Sequence, residues 1–368
     1  MQRAFISISL LIFYGSYMRT GIADLPLHYG KAPKWLFERM QRLGGTVSKI
    51  IVDDYGPNEL LKRLSDPYWF QAFACVLGFD WHSSGSTTTL CAALKLSLSL
   101  KEHGVVVCGG KGKASRRTPE EIIKTTGNEE LVKTSRIVAK VDNACIQDGY
   151  QLYQHSFFIS ETGNWAVIQQ GMAASGNARR YHWLSEGLKS LVIEPHTAIC
   201  GDVKKRNVLD MTSKNSEEAR KVSVDIVKDN PVHLEKYFNG QTSMKYLKLP
   251  KHHQVKKSDL SKRAWKVLYK AYELQPENYQ ELIAIRGLGP KTIRALALIS
   301  ELIYGAELSW KDPVKYSFAH GGKDGFPYPV NKAVYDKSIS VLEEAIEKAK
   351  IGDKEKKNAV RRLKEFIT

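Results

Sequence analysis

The chain of 368 residues is poor in cysteine, and its five, Cys75, Cys91, Cys108, Cys145 and Cys200, stand singly in apolar or Gly-flanked runs. No CxxC pair and no Cys/His zinc spacing occurs, which excludes a cysteine-built zinc site. An odd, scattered set reads as reduced, mostly buried thiols of a cytoplasmic protein. No GxxxxGK[ST] stretch is present, so the chain is not a P-loop NTPase. Internal repeats and long low-complexity segments are also missing. The apolar run from Ala4 to Tyr14, behind Arg3, is too short to span a membrane. It imitates a signal peptide, with "GIA" ending at Ala23 as a mimic cleavage site. Met18 directly precedes polar text, and residues 1–17 are read as a mis-assigned start or non-structural extension.

What is present is positive charge. Lys and Arg number 55 against 39 Asp and Glu, a net charge of +16, and the pI is near 9.4. A surplus of that size favours a polyanionic partner, DNA ahead of RNA. A Lys-rich solvated surface is the plainer explanation, and charge alone does not separate the two.

Along the chain, "KWLFERMQRL" places Leu36, Met40 and Leu43 on one helical face, and "GG" closes it. "DYGPNELLKRLSD" and "PYWFQAFACVLGFD" read as two further helices, the second apolar all round and therefore buried. "GVVVC" fits a buried strand. Thr118, Pro119 and Glu121 have the spacing of a capping box. "YQLYQHSFFIS", "ETGN" and "WAVIQQGM" form a β-hairpin pattern. "NARRYHWLSEGLKSLVI" reads as a helix leading into something extended, and Lys204 to Lys221 as an exposed connection or charged helix. Nine Lys and Arg against one Asp between Lys245 and Lys270 suggest a domain boundary.

"PENYQELIAIRGLGPKTIRALALISELI" carries the most local information. Leu282 and Ile285 end one apolar face, Gly287 and Gly289 permit a tight turn, and Pro290 opens a second helix. The stretch resembles the helix-hairpin-helix motif. That resemblance implies sequence-independent contact with a DNA backbone, through amides around Gly287 to Lys291 and the dipole of the second helix. Lys291 and Arg294 add charge, and Arg286 stands in the turn. A Gly-bearing hairpin packed only for structure is the alternative.

At whole-chain level "ADLPLHYGKAPKWL", "DWHSSGSTTT", "GGKGKASR.TPEEI" (Arg117 at the dot), "ARRYHWL" and "GGKDGFPYPV" resemble an archaeal family known as domain of unknown function 763. The resemblance covers nearly everything after Met18 and implies no activity.

Three stretches upstream carry chemistry-bearing residues. Asp80 and His82 suit a metal ion or an acid/base pair, although a Ser/Thr-rich helix cap accounts for them as well. Lys111, Lys113 and Arg116 lie on a Gly-rich turn that suits a phosphate. Around the hairpin, Asp142, Asp148 and His155 suggest a metal-dependent nuclease, with Asp142 joining Asp80 and His82 around Mg²⁺ or Mn²⁺. The Glu-x-Lys expected on the second strand is replaced by Gln169 and Gln170. Arg179 and Arg180 then serve as further phosphate clamps. A glycosylase or abasic-site lyase would instead use Lys291 with Asp312, and a third reading is a non-enzymatic nucleic-acid-binding scaffold.

The fold class expected is α+β: a mixed α/β domain over 18–245, then an all-α domain over 246–368 with the helix-hairpin-helix at about 278–304. The function expected is a DNA-processing or repair enzyme that hydrolyses a phosphodiester, with no nucleotide cofactor and no membrane partner.

Overall fold

The structure is a computed structural model that describes residues 34–78, 84–201, 204–233, 262–314 and 332–367. Its helices are α1 (Lys34–Tyr55), α2 (Pro57–Ser65), α3 (Pro67–Leu77), α4 (Ser84–Ser97), α5 (Leu100–His103), α6 (Lys113–Arg116), α7 (Thr118–Thr126), α8 (Glu129–Lys140), α9 (Glu217–Lys228), α10 (Lys262–Leu274), α11 (Tyr279–Ala284), α12 (Pro290–Tyr304), α13 (Lys332–Lys348) and α14 (Asp353–Ile367). The strands are β1 (Val105–Lys111), β2 (Ile146–Gln147), β3 (Gln151–Ser160), β4 (Trp165–Met172), β5 (Ala178–Leu184), β6 (Ala198–Cys200), β7 (Arg206–Asp210) and β8 (Ser309–Lys311).

A five-stranded antiparallel sheet of order β1-β3-β4-β5-β6 lies at the centre, and β2-β7-β8 form a smaller antiparallel sheet. The large sheet is buried on both faces. Phe157, Val167, Tyr181 and Trp183 point into a core shared with α7, α8, α9, α10, α11 and α12. Phe158, Ala166, Ile168 and Leu184 point into a second core, shared with α1 to α4, α13 and α14. The protein is therefore mixed α+β, a helix–sheet–helix sandwich.

This arrangement corrects the expected all-helical C-terminal domain. Residues 262–314 share the first core and contribute β8, which pairs with β7. Residues 341–363 join the opposite core instead, where Arg362 donates to the Val76 carbonyl oxygen at 2.6 Å. The basic run from 245 to 261, taken as a boundary, lies outside the described residues.

Four local expectations change for identifiable reasons. Gly44 and Gly45 do not close α1 but sit inside it. A Cβ on Gly45 would stand 3.0 Å from the Ser97 Cβ, so the glycines allow α1 and α4 to pack closely. The capping box at Thr118 does not form, because Thr118 Oγ1 donates to the Ser115 carbonyl oxygen and Glu121 turns to Gly109 and Lys95. "ARRYHWL" is β5, not a helix. Lys204 to Lys221 holds β7 and the start of α9. The five thiols are free and buried, as expected, and no described helix is long and apolar enough to cross a membrane.

Candidate functional site

Strand register places two polar rows side by side on opposite faces of the large sheet. His155 is opposite Gln169, and Gln169 opposite Tyr181. One residue over, Lys111, Gln154, Gln170, Arg180 and Cys200 are successive cross-strand partners. Side chains alternate along a strand, so the rows face different cores.

The first row continues into a chain of hydrogen bonds. The Gln169 amide Nε2 donates to Asp142 Oδ2, which fixes the amide orientation and turns Oε1 toward His155 Nδ1 at 2.7 Å. Nδ1 must then be the donor, and His155 Nε2 accepts the Ser135 hydroxyl at 2.9 Å. At the other end Asp142 also accepts from Trp183 Nε1 at 3.0 Å and from His196 Nε2 at 2.5 Å. Burial lowers the His155 pKa, in keeping with the neutral tautomer this pattern requires. The Ser135–His155 polarity is that of an activated nucleophile. Both side chains are sealed from solvent, at 2% and 4% exposure, so the pair holds α8 against the sheet.

Asp148 and Arg179 form a separate centre on the same side. Arg179 Nη1 meets Asp148 Oδ2 at 3.0 Å, and its Nη1 and Nη2 meet Asp312 at 2.9 and 2.8 Å. Tyr181 donates to Asp148 at 2.7 Å, and the Lys205 backbone N–H donates to Asp312 at 2.7 Å. Burial raises the Asp148 pKa against the pull of Arg179. The two carboxylates hold the Arg179 pKa well above its ordinary value despite its burial.

On the opposite face Arg180 lies over the Phe70 ring, 4.6 Å from its centroid, and donates to Gln71 Oε1 at 2.7 Å. Burial pushes its pKa down to about 10. Gln154 donates to Ser156 Oγ at 2.6 Å, while its own Oε1 has no hydrogen-bond partner among the described residues.

The basic turn after β1 is at the surface. Lys111, Lys113, Arg116 and Arg117 are exposed. The turn is staked from beneath: Glu121 accepts from the Gly109 N–H at 2.7 Å and pairs with Lys95 at 2.6 Å. A groove of about 730 Å³ opens beside it, lined by Gly112, Arg116, Tyr153, Met172 and Ala174 among others.

The helical hairpin docks on the same core. Asn278 caps α11 by accepting from the Glu281 N–H at 3.0 Å. Gly287 has φ +98, and a Cβ there would meet Val267 Cγ2 at 2.9 Å, so the turn requires glycine on both counts. Leu288 is buried, and Gly289 and Pro290 open α12 with no side-chain cap. Lys140 donates to the Leu288 carbonyl oxygen, and Gln147 to that of Pro290 at 2.8 Å. The turn's carbonyls are thus held from inside, while Arg286 and Lys291 are exposed.

The sequence-derived site is therefore divided. Asp142 and His155 share one network, Asp148 belongs to another, and all three are buried. Both Asp142 oxygens are taken by hydrogen-bond donors, so this carboxylate does not fit a catalytic cation. Among the described residues no three His, Cys, Asp or Glu are grouped to hold a metal. Asp80 and His82 lie outside the described residues. Arg179, Arg180 and Arg294 are buried at 0%, 0% and 1% exposure, and their guanidiniums serve interior contacts in place of the phosphate contacts expected. Asp312 is committed to Arg179 rather than offered to Lys291. Lys111, Lys113, Arg116, Gly287 and Lys291 remain exposed to a ligand, and Gly289 partly so. Sequence reasoning did not reach Ser135, Tyr153 and His196, whose places depend on register and helix docking.

No curated protein and no solved structure matches the chain. The family model described as "Protein of unknown function (DUF763)" matches residues 21–330, and the chain belongs to that family.

Proposed function

We propose that the protein binds DNA, gripping the sugar-phosphate backbone through the helix-hairpin-helix at about 278–304. The supporting observation is the turn itself. Its carbonyls are occupied by Lys140 and Gln147, its left-handed Gly287 is exposed, and Arg286 and Lys291 flank an uncapped helix start. First-turn amides have no carbonyl ahead of them in the helix, and with the positive dipole end they suit a phosphate. The net charge of +16 supports the same class of partner.

The DNA-processing half of the reading, phosphodiester hydrolysis with Mg²⁺ or Mn²⁺ in the cytoplasm, now rests on Asp80 and His82. Buried Asp142, Asp148 and His155 no longer support it. The lyase alternative loses its acid partner, since Asp312 is locked in an ion pair. A binding scaffold is the remaining alternative.

The test is fluorescence anisotropy with labelled duplex DNA across a salt series, followed by incubation with Mg²⁺, Mn²⁺ or EDTA. Salt-sensitive binding that weakens in Arg286→Glu/Lys291→Glu is the expected result. Equal binding by that variant would overturn the hairpin reading. Metal-dependent cleavage lost in Asp80→Ala or His82→Ala supports hydrolysis, and intact DNA supports the scaffold.

A further inference from the structure

The groove beside the basic turn is not used by the hairpin reading, and its lining is specific in kind. One bank is the turn after β1, with Gly112 and Arg116, and the other is the turn after β4, with Met172 and Ala174. Tyr153 stands between them. Its ring lies 5.7 Å from Lys111 Nζ, and its hydroxyl accepts from the Gln170 amide, so the aromatic face is held in place.

Lys111, Lys113, Arg116 and Arg117 are all exposed, and none forms an ion pair among the described residues. Some exposed lysines elsewhere are paired, as Lys221 is with Glu217 and Glu218, and Lys348 with Asp54 and Glu344, whereas Lys101, Lys124 and Lys270 stand singly without an ion pair among the described residues. Four like charges without a carboxylate partner among the described residues repel one another, and an incoming anion relieves that repulsion.

The bank is also pre-organised. Ser115 Oγ donates to the Gly112 carbonyl oxygen at 2.7 Å, Thr118 Oγ1 to that of Ser115 at 2.8 Å, and the Gly112 N–H to that of Tyr153 at 2.8 Å. A ligand therefore meets a turn backbone and an aromatic ring already in position, which lowers the ordering cost.

A fixed aromatic face beside unpaired cations is the arrangement that stacks a base and holds its phosphate. The opposite bank, Met172 to Ala174, is uncharged and offers no polar side chain, so little in it selects one base edge over another. A duplex stacks its bases inward and offers no free face to Tyr153. We propose that this groove binds an unpaired nucleic-acid strand, with a base on Tyr153 and the adjoining phosphates on Lys111 and Arg116. The proposal rests on the nucleic-acid reading above and adds that the partner carries a single-stranded portion, separate from the part held by the hairpin.

The test compares labelled oligothymidylate with a fully paired duplex, using the full chain and the variants Tyr153→Leu, Arg116→Glu and Ala174→Trp. Ala174 is exposed in a turn, so its variant fills the groove without touching the core, and circular dichroism checks the fold of all three. Single-strand affinity is expected to fall about tenfold for Tyr153→Leu and for Ala174→Trp, with duplex binding unchanged. Arg116→Glu should also flatten the salt dependence of single-strand binding. Wild-type single-strand affinity in folded Tyr153→Leu and Ala174→Trp would overturn the proposal. So would full competition by thymidine monophosphate at matched nucleotide concentration, which would make the groove a free-nucleotide pocket. Failure of the hairpin reading shows separately, as duplex binding indifferent to Arg286→Glu/Lys291→Glu while the groove variants still lose the single strand.

Discussion

Asp312, just beyond the last short strand, closes a two-pronged ion pair on Arg179 of the central sheet, 133 residues away in sequence. All the partners are buried, so the guanidinium depends on Asp148 and Asp312 for compensation. The contact ties the segment that follows the helical hairpin to the sheet.

Removing one partner of a buried pair leaves charge uncompensated. Asp312→Ala is expected to destabilise the protein by about 3–5 kcal/mol, read from urea unfolding. A loss below about 0.5 kcal/mol, the size of an ordinary surface change, would show that Asp148 alone suffices. Because Asp312 does not serve Lys291, borohydride should trap no adduct on abasic DNA.

Gln169 joins two networks that would otherwise be separate, bonding both His155 and Asp142. Gln169→Leu leaves the His155 Nδ1–H buried without an acceptor, at an expected cost of about 1–3 kcal/mol. Gln169→Glu should be worse, since it sets a second carboxylate against Asp142 in a buried site. Thermal unfolding of the two variants checks the order.

Acid should weaken the fold through its buried histidines. Burial lowers the His155 pKa, and burial with the neighbouring Arg180 charge lowers that of His182 well below its ordinary value. The unfolded chain takes up protons at these histidines below about pH 6.5, while the native state resists them. Native stability is therefore complete above that pH and falls as pH decreases, by up to about 2.7 kcal/mol per pH unit if both stay neutral. Unfolding midpoints between about pH 7 and pH 5 test this, and His182→Phe should reduce the slope.

Gly287→Ala and Lys291→Glu should separate fold from grip. Alanine at φ +98, with Val267 2.9 Å from its Cβ, is expected to cost about 1–3 kcal/mol and to weaken duplex binding. Lys291→Glu should leave the melting temperature nearly unchanged while lowering the salt slope of duplex binding by about 1. If Gly287→Ala melts and binds like the wild type, the turn does not need its glycine.

The helical hairpin was legible because its signals are local: apolar spacing, two glycines and a proline within about twenty residues. The β3–β4 hairpin showed through its flanked, β-rich runs. β5 was misread because both its faces are buried. Arg179, Tyr181 and Trp183 point one way and Arg180 and His182 the other, so polar and apolar residues do not alternate. The arginines looked like phosphate clamps for the same reason, since charge in a sequence carries no sign of burial.

The sequence by itself determined the class of partner to test, the buried and reduced state of the cysteines, the hairpin turn and the exposed basic loop. Each of these follows from composition or from chemistry within a few residues. Only the tertiary structure decided which charged groups meet. Antiparallel register set His155 beside Gln169 and Lys111 beside Gln154, while docking of α8 brought Ser135 to one end of a network and the connection before β6 brought His196 to the other. Contacts across tens or hundreds of residues depend on how two cores close over one sheet, and no local pattern encodes that closure.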